Sequence, residues 1–164
     1  MKAIANVDLN WGIGCNGNLL VRIPEDMRFF KETTLGKIVV MGKDTFDSLP
    51  GRQPLKERTN IVLSRNNDFN PSGVIKCSSI GDLNQNLSKY NLNDVFVIGG
   101  ESLYKQLLPF CSEAYITKVE SRFDADKFFV NLDMEDAWEV IEESEVKTHN
   151  DISFRFVKYI NKKI

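Results

Sequence analysis

The sequence is poor in the residues that hold metals and build disulfide frameworks. Its 164 residues include one histidine, His149, and three cysteines, Cys15, Cys77 and Cys111. The cysteines are widely spaced and odd in number, which fits neither a disulfide framework nor a ligand cluster. His149 lies in the polar run Thr148-His149-Asn150-Asp151 and reads as a turn residue, so no metal site is expected. No apolar run approaches the ~20 residues of a membrane span. The N-terminus MKAIANVD lacks the apolar core and cleavage site of a secretory signal. These absences point to a cytoplasmic protein that does not engage membranes. Charge of one sign is also missing: 21 basic against 23 acidic side chains leave −2, which argues against a nucleic-acid binder.

What is present is an ordinary globular composition, 42% hydrophobic, long enough to bury a sizeable core. Without internal repeats, low-complexity segments or a long linker, one domain over 1–164 is expected. No apolar stripe is left over once the core is built, so a monomer is expected. Residues 2–8 read as a buried strand, followed by a loop over 9–23 and a helix over about 24–34. Short continuous apolar runs at 37–41, 59–64 and 94–98 have the signature of strands covered on both faces. Helices are expected after Gly42, over about 79–89 and after Gly99-Gly100, with a weak strand near 74–77 and another over 113–120. Two alternating runs, 137–146 and 152–160, flank the polar turn KTHND as a C-terminal antiparallel hairpin. The pattern implies an α/β three-layer sandwich with a mostly parallel central sheet and that closing hairpin.

The stretch Gly12–Lys31, GIGCNGNLLVRIPEDMRFFK, organises the rest. Pro24 suits the first turn of a helix, where its missing N–H costs nothing. Asp26 then shares a helix face with Phe30, beside Met27 and Ile23. Such an acid is either an exposed first-turn carboxylate favoured by the helix dipole or one lining a pocket. Upstream, Gly12-Ile-Gly-Cys-Asn-Gly17 matches G-x-G-x-x-G formally. It runs into NLLVRIP, which cannot be one helix through Pro24, and the next strand ends in a base, Lys43. A dinucleotide fingerprint therefore fails, and Gly12, Gly14 and Gly17 read as a flexible lid.

Open α/β sheets bind ligands beyond the carboxyl ends of their strands. Three such ends carry candidates for phosphate: Gly42-Lys43-Asp44-Thr45, Leu63-Ser64-Arg65 and Ile98-Gly99-Gly100-Glu101-Ser102. Singly each is weak, since Gly-Gly is usually a tight turn and Ser-Arg usually surface. Together they offer two helix starts and two cations, with Lys43 and Arg65 suited to a ribose 2′-phosphate and no acid placed to read a 2′-hydroxyl. This favours NADP over NAD.

Six segments in order carry a family resemblance: Gly-Ile-Gly-x-Asn-Gly at 12–17, Ile-Pro-Glu-Asp-Met-x-Phe-Phe-Lys at 23–31, Val-Met-Gly-Lys-x-Thr-Phe at 40–46, Arg-x-Asn-Ile-Val-Leu-Ser-Arg at 58–65, Val-Ile-Gly-Gly-x-x-Leu-Tyr at 97–104 and Tyr-Ile-Thr at 115–117. Asp126-Lys-Phe-Phe129 and the closing hairpin follow in the same order. Over essentially its full length the chain resembles the bacterial dihydrofolate reductases. The resemblance implies NADPH-dependent reduction of dihydrofolate to tetrahydrofolate in one-carbon metabolism, and binding of antifolate inhibitors.

It also implies roles at matching positions. Asp26 would hold the pterin and support protonation at N5, with Thr117 hydrogen-bonded to it. Met27, Phe30, Leu49 and Leu55 would wall the substrate, and Arg58 would grip its glutamate carboxylate. Ala5, Ile13, Gly14 and Ile98 would line the nicotinamide, with Ala5 and Ile98 also meeting substrate. Lys43, Thr45, Ser64, Arg65, Gly100, Glu101 and Ser102 would hold ribose and phosphates, within a cofactor frame completed by Gly42, Asp44, Leu63, Gly99, Leu103 and Tyr104. The chain departs from the family where Leu19-Leu20-Val21 replaces Leu-Pro-Trp, and where Asn6 stands for a small apolar residue beside the nicotinamide. A pyrimidine reductase of riboflavin synthesis would share the cofactor frame without needing Arg58. A non-catalytic NADP sensor would keep Gly99-Gly100 and Arg65 but have no use for Asp26 near Thr117.

Overall fold

The computed structural model describes residues 1–164. In chain order it contains β1 (Lys2–Val7), β2 (Gly12–Gly14), α1 (Pro24–Thr34), β3 (Ile38–Gly42), α2 (Lys43–Ser48), β4 (Thr59–Leu63), β5 (Val74–Cys77), α3 (Ile80–Leu87), β6 (Val95–Gly99), α4 (Glu101–Leu107), β7 (Glu113–Val119), β8 (Lys127–Phe128), β9 (Trp138–Glu143), β10 (Lys147–His149) and β11 (Ile152–Asn161). The main sheet runs β10-β11-β7-β1-β6-β3-β4-β5, and β9 shares with β10 the far side of β11. Every pairing from β7 to β5 is parallel. β11 is antiparallel to β7.

The apolar strands are covered on both faces. Ile38 and Val40 of β3 join Leu83 and Leu87 of α3 and Leu103 and Leu107 of α4 in the larger core. Val39 and Met41 turn to the other face, where they meet Phe46 of α2 and Phe69. α1 lies on that second face over the β7–β11 side, with Phe29 stacked on Phe156 at 4.4 Å. The three-layer arrangement follows from this double burial. No helix is long and apolar enough to cross a membrane.

Two segments differ from the sequence expectation. The 9–23 loop is not all irregular: β2 pairs antiparallel with β8. Its root is fixed by the buried Asp8, whose carboxylate accepts the main-chain N–H groups of Asn10 (2.9 Å), Gly12 (2.8 Å) and Phe123 (3.0 Å). A Cβ on Gly12 would come within 2.5 Å of the Ala125 Cβ, so this glycine permits close packing rather than lid motion. Trp11, with a left-handed φ of 60°, is driven into the core against Phe129 and Tyr159, each at a centroid distance of 6.2 Å.

The second difference is in the hairpin. The polar run KTHND holds a strand, β10, so His149 pairs with Ile152 instead of sitting in the turn. The turn itself is Asn150-Asp151, both left-handed (φ 47° and 64°), a conformation these side chains tolerate in tight hairpins. Ser144 breaks the strand between β9 and β10, and its Oγ accepts the Phe156 N–H at 2.9 Å.

Removing the Asp8 carboxylate would orphan three main-chain donors at a site only 4% exposed. Asp8→Ala should lower unfolding stability by about 3 kcal/mol, read by urea or thermal denaturation. A loss under about 1 kcal/mol would show that water replaces the carboxylate at the loop root.

Candidate active site

The parallel register of β1 and β7 sets Asn6 opposite Thr117, and β11 adds Phe156 opposite Thr117. These side chains form one row on the face covered by α1. Pro24 at the first helical position starts α1 so that Asp26 falls in its first turn, above that row. Ile23, 1% exposed, anchors the helix entry beside Val119 and Phe154. The Asp26 Oδ1 accepts the Thr117 hydroxyl at 2.5 Å, and Oδ2 accepts the Asn6 side-chain amide at 2.9 Å. Burial pushes the Asp26 carboxyl above its ordinary range, and the hydrogen bonds from Thr117 and Asn6 pull against that rise.

Apolar side chains line the same face of the sheet. Leu49, Leu55 and Ile98 pack against the Val39–Met41–Phe46 cluster, and Phe30 is half-buried while Met27 is open to solvent. At the far end of α1 the half-buried Arg58 is aimed by two bonds, Nε to the Lys56 carbonyl (2.8 Å) and a terminal nitrogen to Thr34 Oγ1 (3.2 Å). Ala5 does not join this face. Its register partner Ile116, and Val157 opposite Ile116 on β11, belong to the opposite core, against which Ala5 packs, so only its main chain reaches this edge. Leu103 and Tyr104 are likewise core residues, each 4% exposed. The Tyr104 hydroxyl donates to the Ile4 carbonyl at 2.7 Å and fixes α4 against β1.

The second half of the site is the row of strand ends at β3, β4 and β6. A Cβ on Gly42 would meet the Gly100 nitrogen at 3.9 Å and the Gly99 oxygen at 4.0 Å, so three glycines leave bare backbone there. Gly99 has φ +132°, its peptide bond to Gly100 is cis, and Thr45 Oγ1 lies 3.1 Å from where its Cβ would be. Only glycine suits that backbone. Arg65 is exposed and forms no ion pair, whereas Lys43 is paired with Asp47 at 2.5 Å and lies over the Phe69 ring. The two cations expected to act together are therefore not equivalent. Ser64 caps its own loop, its Oγ accepting the Asn66 N–H, Ser102 Oγ accepts from Gln106, and Asp44 is exposed. Leu63, at the end of β4, and Ile13, next to Gly14 in β2, each pack against the larger core.

Two contacts were missed by sequence reasoning. One is Asn6 on Asp26, signalled only by a polar residue inside an apolar strand. The other is Glu101, whose carboxylate accepts the Phe128 main-chain N–H at 2.6 Å and so ties β8 to α4. Trp11 is the one indole near the Gly-rich loop, and it is spent on the core. Val21 packs beside Ile23, Val119 and Phe154.

A dihydrofolate reductase family model matches residues 1–161. The chain belongs to the dihydrofolate reductase family. It is 35% identical to a dihydrofolate reductase of Staphylococcus aureus over 159 residues, covering 95% of this chain and 94% of that protein. Identity to the Haemophilus influenzae dihydrofolate reductase is 38% over 137 residues, covering 84% and 82%. Among solved structures, dihydrofolate reductase from Enterococcus faecalis, complexed with NADP(H) and RAB-propyl, superposes with a TM-score of 0.86 at 32% identity, covering 98% of this chain and 95% of that one. NADPH-dependent reduction of dihydrofolate to tetrahydrofolate is the activity this membership assigns. The bare glycine cradle and the unpaired Arg65 have the chemistry to receive a phosphorylated dinucleotide.

Because burial raises the folded-state pKa of Asp26, ionising it costs the folded protein. That cost is absent below the unfolded value near ~4 and complete above the folded value. Asp26→Asn should therefore melt higher than the parent at pH 7 without ligands, with the gap closing as pH falls toward ~4. A parent that melts higher at pH 7 would show that Thr117 and Asn6 outweigh burial.

Proposed function

We propose that the enzyme reduces 7,8-dihydrofolate by delivering a hydride to C6 and a proton to N5, with Asp26 as the group that anchors the pterin and supports protonation. The observation that carries this reading is a single half-buried carboxylate gripped by Thr117 and Asn6 on an otherwise apolar face. NADPH, when bound, supplies the hydride and leaves as NADP⁺. The chain's own residues do the rest. Asp26 accepts the N–H hydrogens of the pterin edge, and its negative charge favours the cation formed when N5 takes up a proton, turning the N5=C6 double bond into a single bond. Phe30, Met27, Leu49, Leu55 and Ile98 exclude water from the ring's flanks. Arg58, pre-aimed by Lys56 and Thr34, offers a planar fork for the substrate's carboxylate tail.

On the cofactor side, Gly42, Gly99 and Gly100 let backbone approach closely, and Thr45, Ser64, Ser102 and Asp44 supply polar groups around them. Arg65 meets the 2′-phosphate as the free cation, with Lys43 held back by Asp47. The proposal extends to a monomer working in the cytoplasm, its cysteines reduced, and to binding of antifolates in the pterin half.

Asp26→Asn keeps the shape but cannot ionise. Pre-steady-state hydride transfer in this variant should lose most of its rate at pH 7 and recover partly in acid, where solvent protonates the substrate. A rate near the parent's at pH 7 would return Asp26 to an ordinary helix-start acid.

NADPH should be preferred over NADH by ~10²-fold, for about 3 kcal/mol of phosphate contact. Arg65→Ala should remove at least about tenfold of kcat/KM for NADPH while leaving NADH little changed. Equal losses with both cofactors would remove the Leu63–Arg65 strand end from phosphate recognition.

A further inference from the structure

A carboxylate offers about four lone-pair positions, and on Asp26 one on each oxygen is already taken. Thr117 Oγ1 bonds Oδ1 at 2.5 Å and Asn6 Nδ2 bonds Oδ2 at 2.9 Å, from adjacent parallel strands at directly opposed positions. With both oxygens held, the carboxylate plane cannot turn without breaking a bond, and the remaining lone pairs stay in one place for the two N–H groups of a pterin edge. The two holders differ chemically. A threonine hydroxyl can donate or accept, so it serves Asp26 in either protonation state. The amide nitrogen of Asn6 only donates, so it favours the carboxylate over the acid.

We infer that Asn6 is a positioning residue of this reductase, whose amide fixes the plane of the Asp26 carboxylate and biases it toward ionisation, so that it sets the pH range of fast turnover. The inference rests on the role given to Asp26 above and assigns Asn6 to the acid instead of to the nicotinamide. No charged group competes for the same carboxylate. Glu25 of α1 pairs with Lys147 of β10 at 3.2 Å, Lys118 of β7 turns away to Asp133 at 2.6 Å, and Arg155 of β11 is engaged by Glu120 and Glu143. β11 contributes to this row only the uncharged Phe156. The balance on Asp26 is burial against two neutral donors, so removing one donor registers directly in its titration.

The test compares the parent with Asn6→Ala and Asn6→Asp in two measurements over a wide pH range. One is ¹³C NMR titration of the aspartate carboxyls in the ligand-free protein; the other is pre-steady-state hydride transfer with NADPH and dihydrofolate. In Asn6→Ala the Asp26 pKa should rise by about half to one unit, and the hydride-transfer profile should move toward alkaline pH by the same amount, with a lower plateau. Asn6→Asp places a second carboxylate against the first, and should raise the apparent pKa of the pair by more than about one unit. An unchanged Asp26 titration in Asn6→Ala, with a raised KM for NADPH alone, would overturn the inference and make Asn6 a cofactor contact. A parent that does not oxidise NADPH with dihydrofolate would overturn the reductase reading instead, while the NMR titration still decides whether Asn6 acts on Asp26.

Discussion

The setting of Asp26 depends on the parallel pairing of β1 with β7. That register puts Asn6 beside Thr117, and α1 then lowers Asp26 onto both. Strand side chains alternate faces, so a slip by one residue would exchange the entire row for Ala5 and its neighbours. Such a slip is opposed from the other side of the sheet. Ala3, Val7, Ala114 and Ile116 are buried there in the larger core, and the Tyr104 hydroxyl holds the Ile4 carbonyl. Packing on one face thereby fixes hydrogen-bond geometry on the other.

Much of this was legible in the residues. The runs around Val39, Ile61 and Val97 are apolar throughout because both faces of those strands are covered, and Pro24 marks the start of α1 within one residue. Asp26 and Thr117 meet as the family resemblance implies. The rest was hidden for physical reasons. β2 and β8 are three and two residues long, too short for any period to show. β10 is polar because it lies at the sheet edge, where solvent replaces a covering layer. In the run Ala3-Ile4-Ala5-Asn6, small apolar and polar residues fit either face, so the side on which Ala5 packs required the register. The pairing of Lys43 with Asp47 is a four-residue helical spacing visible in the sequence, but which partner a lysine chooses depends on what else stands near it.

The site couples a cost to a use. A half-buried carboxylate is held in an apolar setting that disfavours its charge, and that same setting strengthens each hydrogen bond it accepts. The Gly-rich loop shows a related division. Asp8, the β2–β8 pair and Trp11 secure its first part, leaving the exposed segment after Cys15, with Gly17 at φ +77°, as the part without core contacts.

Trp11 has a further consequence, for spectroscopy. The chain has two tryptophans, and Val21 stands where the family's Leu-Pro-Trp carries one. The 6%-exposed indole of Trp11 sits at the loop root, between Phe129 and Tyr159, with the Lys118 ammonium 5.3 Å from its ring. Intrinsic emission from this reductase therefore arises from a dry, cation-flanked indole behind the sheet and from Trp138 at the start of β9. No indole stands in the row of Asp26, Thr117 and Asn6. Emission from Trp11 reports how the loop root is seated and emission from Trp138 how β9 begins, so each indole is an optical gauge of its own packing, separate from the chemistry the protein performs.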